Sequence, residues 1–137
     1  MKRKPPPGRP GLALYTNSRD RRLAAALAGL ARSLTRQFPA CRGGQANVIL
    51  IDDQAIARLN RRWRGKAGPT DVLSFPLGHD DPETGRRMLG EVYVSRDCAR
   101  AQGREYGTGY HGELERLARH GLLHLLGLSH RQMAGVE

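Results

Sequence analysis

The chain has 137 residues, 39% apolar and 26% charged, a size and balance that suit one globular domain around one core and leave no room for a second folded unit. Its 23 Lys and Arg against 13 Asp and Glu give a formal charge of +10, which points to an anionic partner, nucleic acid before membrane. Cys41 and Cys98 form no C-x-x-C pair and no run approaches the ~18 apolar residues of a membrane span, so a disulfide framework, a cysteine zinc site and a membrane anchor are not expected, and a soluble, cytoplasmic protein is.

Residues 1–11, basic and rich in proline, read as a flexible tail, with residues 12–137 as the single domain. Leu12 to Thr16 is a candidate edge strand. Ser18 offers a cap and Asp20 a first-turn acid for a helix on which Leu23, Leu27, Leu30, Leu34 and Phe38 recur at three and four residues, until Pro39 stops it. Ala46 to Ile51 is a continuous apolar run, too short for a helix and rich in β-branched residues, hence a buried strand. Asp53 stands where it can cap the next helix, whose inner side carries Ile56, Leu59 and Trp63; Trp63 reads as core rather than as a surface for stacking bases. The other sides hold Arg58, Arg61, Arg62 and Arg64, with Lys66 just beyond, the densest basic cluster in the folded part.

Thr70 to Phe75 alternates and branches like a strand that Pro76 ends. Residues 77–88 read as a polar loop in which His79 is solvated, closing a hairpin to a strand from Leu89 to Val94. Ser95 caps a helix to about Tyr106, and Gly107 to Gly109 separates it from a last helix, about His111 to Leu126, apolar around most of its circumference and therefore buried. On that helix Glu113 either supports a metal ligand from behind or complements the helix dipole as an exposed acid. This order of elements makes an α+β domain, a small mixed four-stranded sheet packed by helices.

The chemistry concentrates in His120-Gly-Leu-Leu-His124-Leu-Leu-Gly127-Leu-Ser-His130. Histidines four apart project from one face of a helix, and Gly127 lets the chain leave the helix with φ > 0 and return His130 to the same point. Three imidazoles with a fourth position open make a catalytic rather than a structural zinc site, for one Zn²⁺ held by His120, His124 and His130. The spacing is shared with metzincin peptidases, where a Glu after the first histidine works as general base; here that position is Gly121.

The same run resembles the signature of the YbeY family, bacterial metal-dependent endoribonucleases of ribosomal RNA maturation. Two further stretches agree: Leu59-Asn-Arg-Arg-Trp-Arg-Gly-Lys66 followed by Pro69-Thr-Asp-Val-Leu-Ser-Phe-Pro76, and Leu89-Gly-Glu-Val-Tyr-Val-Ser95. The resemblance covers roughly residues 45 to 130. The family usually has Asp at the positions of Glu91 and Ser129, and it usually continues into a further helix where this chain ends at Glu137, so the chain reads either as a short member or as a truncated one.

A tri-histidine zinc lowers the pKa of bound water to ~7 and suits hydrolysis of a phosphodiester or an amide equally. The cations at Arg61, Arg62, Arg64 and Lys66 favour the phosphodiester, as substrate-binding groups. The resemblance implies that Arg64, matching the family's L-N-x-x-aromatic-R-G arginine, positions or neutralises the phosphate and acts catalytically with His120. It further implies a substrate of single-stranded RNA, in particular precursor ribosomal RNA near the 3′ end of the small-subunit species, with ribosomal particles as partners and a role in ribosome quality control. Two other readings stay open: a zinc peptidase, and a non-catalytic, metal-stabilised ribosome-binding module.

Overall fold

Four short segments pair into a single sheet: β1 (Ala13–Thr16), β2 (Gly44–Ile51), β3 (Val72–Asp80) and β4 (Arg87–Ser95). The computed structural model describes residues 11–127; residues 1–10, nearly all of the expected tail, and residues 128–137, with Ser129 and His130, lie outside the described residues. The strand order is β1-β2-β4-β3, with β1 and β4 parallel to β2 and β3 antiparallel to β4, so the sheet is mixed. Between and after the strands run α1 (Arg21–Gln37), a 3-10 turn (Pro39–Cys41), α2 (Asp53–Arg64), α3 (Arg96–Tyr106) and α4 (Gly109–Leu125). This is the α+β domain expected, apart from the 3-10 turn.

Alternation along the strands sorts the side chains. Ala46, Val48, Leu50, Val92 and Val94 enter one core with the leucines of α1 and α4, among them Leu23, Leu27, Leu34, Leu117 and Leu122. Each such leucine removed from water stabilises by roughly 1.5–3 kcal/mol, which holds both helices against this face. From Ala46 onward β2 is therefore buried on that face, while Asn47, Ile49 and Ile51 stay half-buried on the other. On that opposite face Phe75 and Tyr93 meet edge to face at 5.6 Å, and α2 packs there through the fully buried Ile56.

Three local expectations need correction. Asp20, not Ser18, caps α1, its Oδ1 accepting the Arg22 and Leu23 amides at 2.9 and 3.2 Å, while the Ser18 hydroxyl accepts the amide of Asp20 itself. A full negative charge at the helix N-terminus outcompetes a hydroxyl. Asp52, not Asp53, caps α2, because Asp53 accepts a hydrogen bond from Ser95 Oγ at 2.6 Å and so ties α2 to the start of α3. β3 does not stop at Pro76 but runs to Asp80 with a register shift between Pro76 and His79. It is an edge strand, where a missing N–H removes no ladder bond, so the loop is shorter than expected and His79 stands exposed on the strand's end.

Candidate functional site

The site begins with the depth at which α4 sits on the sheet. A Cβ at Gly121 would lie 2.4 Å from Val92 Cγ1 and 3.1 Å from Val72 Cγ2, so only glycine lets the helix approach this closely. Ser74 Oγ donates to the Gly121 carbonyl at 2.8 Å and pins the contact. Residues to either side are thereby fixed: Leu122 and Leu123 turn into the core, and His120 and His124 face the edge at β3.

His120 Nε2 and His124 Nε2 stand 3.2 Å apart, the rings 4.8 Å between centroids and inclined at 71°. Two Zn–N bonds of about 2.0–2.1 Å at a near-tetrahedral angle separate their nitrogens by about 3.3 Å. The pair fits two ligands of one such ion. Gly127 has φ +80°, the left-handed turn expected after α4, and its amide donates to the His124 carbonyl at 2.9 Å. The third expected ligand, His130, lies outside the described residues, and among the described residues no group of three metal-ligating side chains forms.

The two histidines line a cleft of about 420 Å³ with Arg64, Asp71, Ser74 and Phe75. Arg64 arrives because Gly65, at φ +68°, ends α2 in a left-handed cap and Asn60 Nδ2 donates to the Gly68 carbonyl at 3.0 Å, tying down the loop that follows. Asp71, the one carboxylate among the described lining residues, escaped the sequence reading, which looked for an acid beside the histidines in sequence. The signal was the Thr70-Asp71 step just before β3, which lines the same cleft as His120 and His124.

Arg61, Arg62 and Lys66 are exposed and stand outside the cleft, and among the described residues none of them pairs with a carboxylate. Two expected roles are overturned. Trp63 is not core: it is 60% exposed, because it stands on the last turn of α2, past the buried Ile56, where its indole meets Phe75 edge to face at 6.2 Å and the Arg62 guanidinium at 5.2 Å. Glu113 is neither an exposed acid nor a support to the histidines; it is 1% exposed and its Oε2 accepts from Arg116 Nε at 2.6 Å. That hydrogen bond, with the charge of the Glu113 carboxylate behind it, raises Arg116 from its ordinary value. Burial pushes the Cys41 and Cys98 thiols up, so neither is a thiolate nucleophile near neutral pH. Glu91 is hydrogen-bonded to Tyr93 Oη and Asn47 Nδ2, each at 3.2 Å, on the half-open face of the sheet; burial and this carboxylate raise the Tyr93 phenol. No described helix is long and apolar enough to cross a membrane.

A family profile described as Endoribonuclease YbeY matches residues 15–136. Among similar proteins, an endoribonuclease YbeY of Persephonella marina is 46% identical over 88 residues, 64% of this chain and 58% of that one. Another, of Myxococcus xanthus, is 47% identical over 102 residues, 69% of this chain and 35% of that one. The chain thus spans about half the length of such relatives. The solution structure of TM1509 from Thermotoga maritima superimposes with a TM-score of 0.58 at 29% identity, covering 87% of this chain and 74% of that one.

Proposed function

The chain belongs to the Endoribonuclease YbeY family, and from that premise we propose that it is a metal-dependent endoribonuclease of single-stranded RNA. The observation that carries the reading is the meeting of Arg64, His120 and His124 in one cleft. Arg64 brings a planar guanidinium that pairs with two phosphate oxygens at once and offsets the charge that builds on them during cleavage. Asp71 offers a carboxylate to take up the proton of an attacking water. His120 and His124, with His130, would hold one Zn²⁺, which supplies Lewis acidity toward a phosphoryl oxygen and acidifies water to near neutral pKa. Arg61, Arg62 and Lys66 attract the flanking phosphates from outside the cleft.

Within this reading the first substrate to try is precursor ribosomal RNA around the 3′ end of the small-subunit species. Ribosomal particles are the first partners to try, and maturation and quality control of ribosomes the process. The test compares wild type, His124→Ala and Arg64→Ala on labelled single-stranded RNA and on casein, each with and without chelator, alongside metal analysis. RNA cleavage that the chelator abolishes, that His124→Ala loses together with its zinc, and that Arg64→Ala lowers by roughly 10²–10³ with zinc retained, is the expected pattern. A His124→Ala protein without metal and fully active refutes it, as does cleavage of casein alone.

A further inference from the structure

Trp63 is the only tryptophan of the chain, and among the described residues it is one of three large apolar side chains left exposed. Burying it would be worth several times the burial of a methyl group, yet the fold holds it out at the rim of the cleft. Its orientation is fixed from behind. Tyr93 supports Phe75 edge to face, Phe75 supports Trp63 at 6.2 Å and 70°, and Phe75 is itself a wall of the cleft. The Arg62 guanidinium lies 5.2 Å from the centre of the indole, and the next residue in the chain, Arg64, enters the cleft.

We propose that Trp63 is a base-stacking platform beside the cleft, on which an unpaired base of the RNA lies while its flanking phosphates reach Arg61, Arg62 and Arg64. The inference rests on the ribonuclease reading above. An apolar protein partner would require a continuous apolar patch, but Arg61, Arg62 and Arg64 beside Trp63 in the chain are exposed, while on its helix Leu59 is half-buried and Asn60 buried. An aromatic face among arginines matches the two parts of a nucleotide, base and phosphate. In a duplex each base is already stacked on both faces and withholds its π-surface, so the platform makes the site select single strands.

Because the fluorophore is unique, the test reads it directly. The full chain is titrated with a fluorescein-labelled 2′-O-methyl oligouridine, shown intact on a gel after the titration, with its duplex, and with an abasic strand of equal length, following tryptophan emission and anisotropy. The single strand quenches Trp63 and the abasic strand binds without quenching. Trp63→Ala, shown folded by circular dichroism, binds the single strand roughly tenfold more weakly and the duplex unchanged, while Trp63→Tyr stays within about threefold of wild type. Tyr106→Ala, which removes another exposed aromatic, changes nothing. If the single strand binds without altering the emission, or Trp63→Ala binds it as tightly as wild type, the platform is overturned and the ribonuclease reading survives, leaving the indole to a protein partner. If no strand binds and none is cleaved, the ribonuclease reading falls and takes the platform with it.

Discussion

Replacing Gly121 by alanine sets two effects of opposite sign against each other. In a helix interior alanine is favoured over glycine by about 1 kcal/mol, so on propensity alone Gly121→Ala stabilises. The structure opposes this, because the new methyl would lie 2.4 Å from Val92 Cγ1, 3.0 Å from Ser74 Oγ and 3.1 Å from Val72 Cγ2. Carbon atoms rest at about 3.5–4.0 Å, so the overlap with Val92 is over 1 Å. Val92 is fully buried and cannot swing aside, so α4 must lift by about that much. Overpacking of this kind costs about 1–3 kcal/mol, and losing the Ser74 hydrogen bond adds about 1 kcal/mol. The net expectation is a loss of about 1–3 kcal/mol in urea unfolding. Gly112→Ala on the same helix is the control: its methyl meets only Thr108 Cβ at 3.6 Å, an ordinary contact, and it should gain about 0.5–1 kcal/mol. Since the lift carries His120 and His124 with it, RNA cleavage should fall by roughly 10². A Gly121→Ala protein as stable as wild type, or more so, refutes the close-approach argument.

Arg116→Met strands the buried Glu113 carboxylate and, since the guanidinium it removes is half exposed, should cost about 1–3 kcal/mol in urea unfolding, with Arg116→Met/Glu113→Leu recovering most of it. Asp20 is held below the usual carboxylate range by its hydrogen bond to His111 at 2.6 Å and by the capped amides. A depressed folded pKa stabilises above the unfolded value of about 3.9 and the contribution is lost as pH falls through the folded one; Asp20→Asn should therefore flatten the loss of stability below about pH 4, read from urea midpoints against pH. Zinc at 100 times its dissociation constant should raise stability by about 2.7 kcal/mol, an increment that chelator removes and that His124→Ala never shows.

The fold was legible where local chemistry decides it. Leucines at helical spacing announced α1 and α4, and Gly127 announced the turn after α4, because each depends on neighbours a few residues away. The paired imidazoles were legible for the same reason: His120 and His124 are set by one helix. What the sequence concealed depends on where elements cross. Trp63 shares the inward direction of Ile56 on α2, yet only the sheet's extent decides that Ile56 is covered and Trp63 is not. Pro76 looks like a stop until the strand is known to lie at an edge. Asp71 and His124 are 53 positions apart and share a cleft only through the docking of α4 on β3.

That docking also separates two chemistries with one histidine spacing. A peptidase of the metzincin pattern carries its general base one residue after the first histidine, on a helix turned so that this side chain shares the metal's side. Here the residue after His120 points at Val92 and Ser74, into the sheet, and space for even a methyl group is lacking. A glutamate there could not reach the cleft without lifting the helix off the strand that holds it. The acid that lines the cleft is Asp71, and Arg64 lines it too, surroundings that on the proposed reading favour an anionic phosphodiester over a neutral peptide bond. The spacing of the histidines fixes how they face one another; the depth at which their helix is seated leaves position 121 no room for a peptidase's general base.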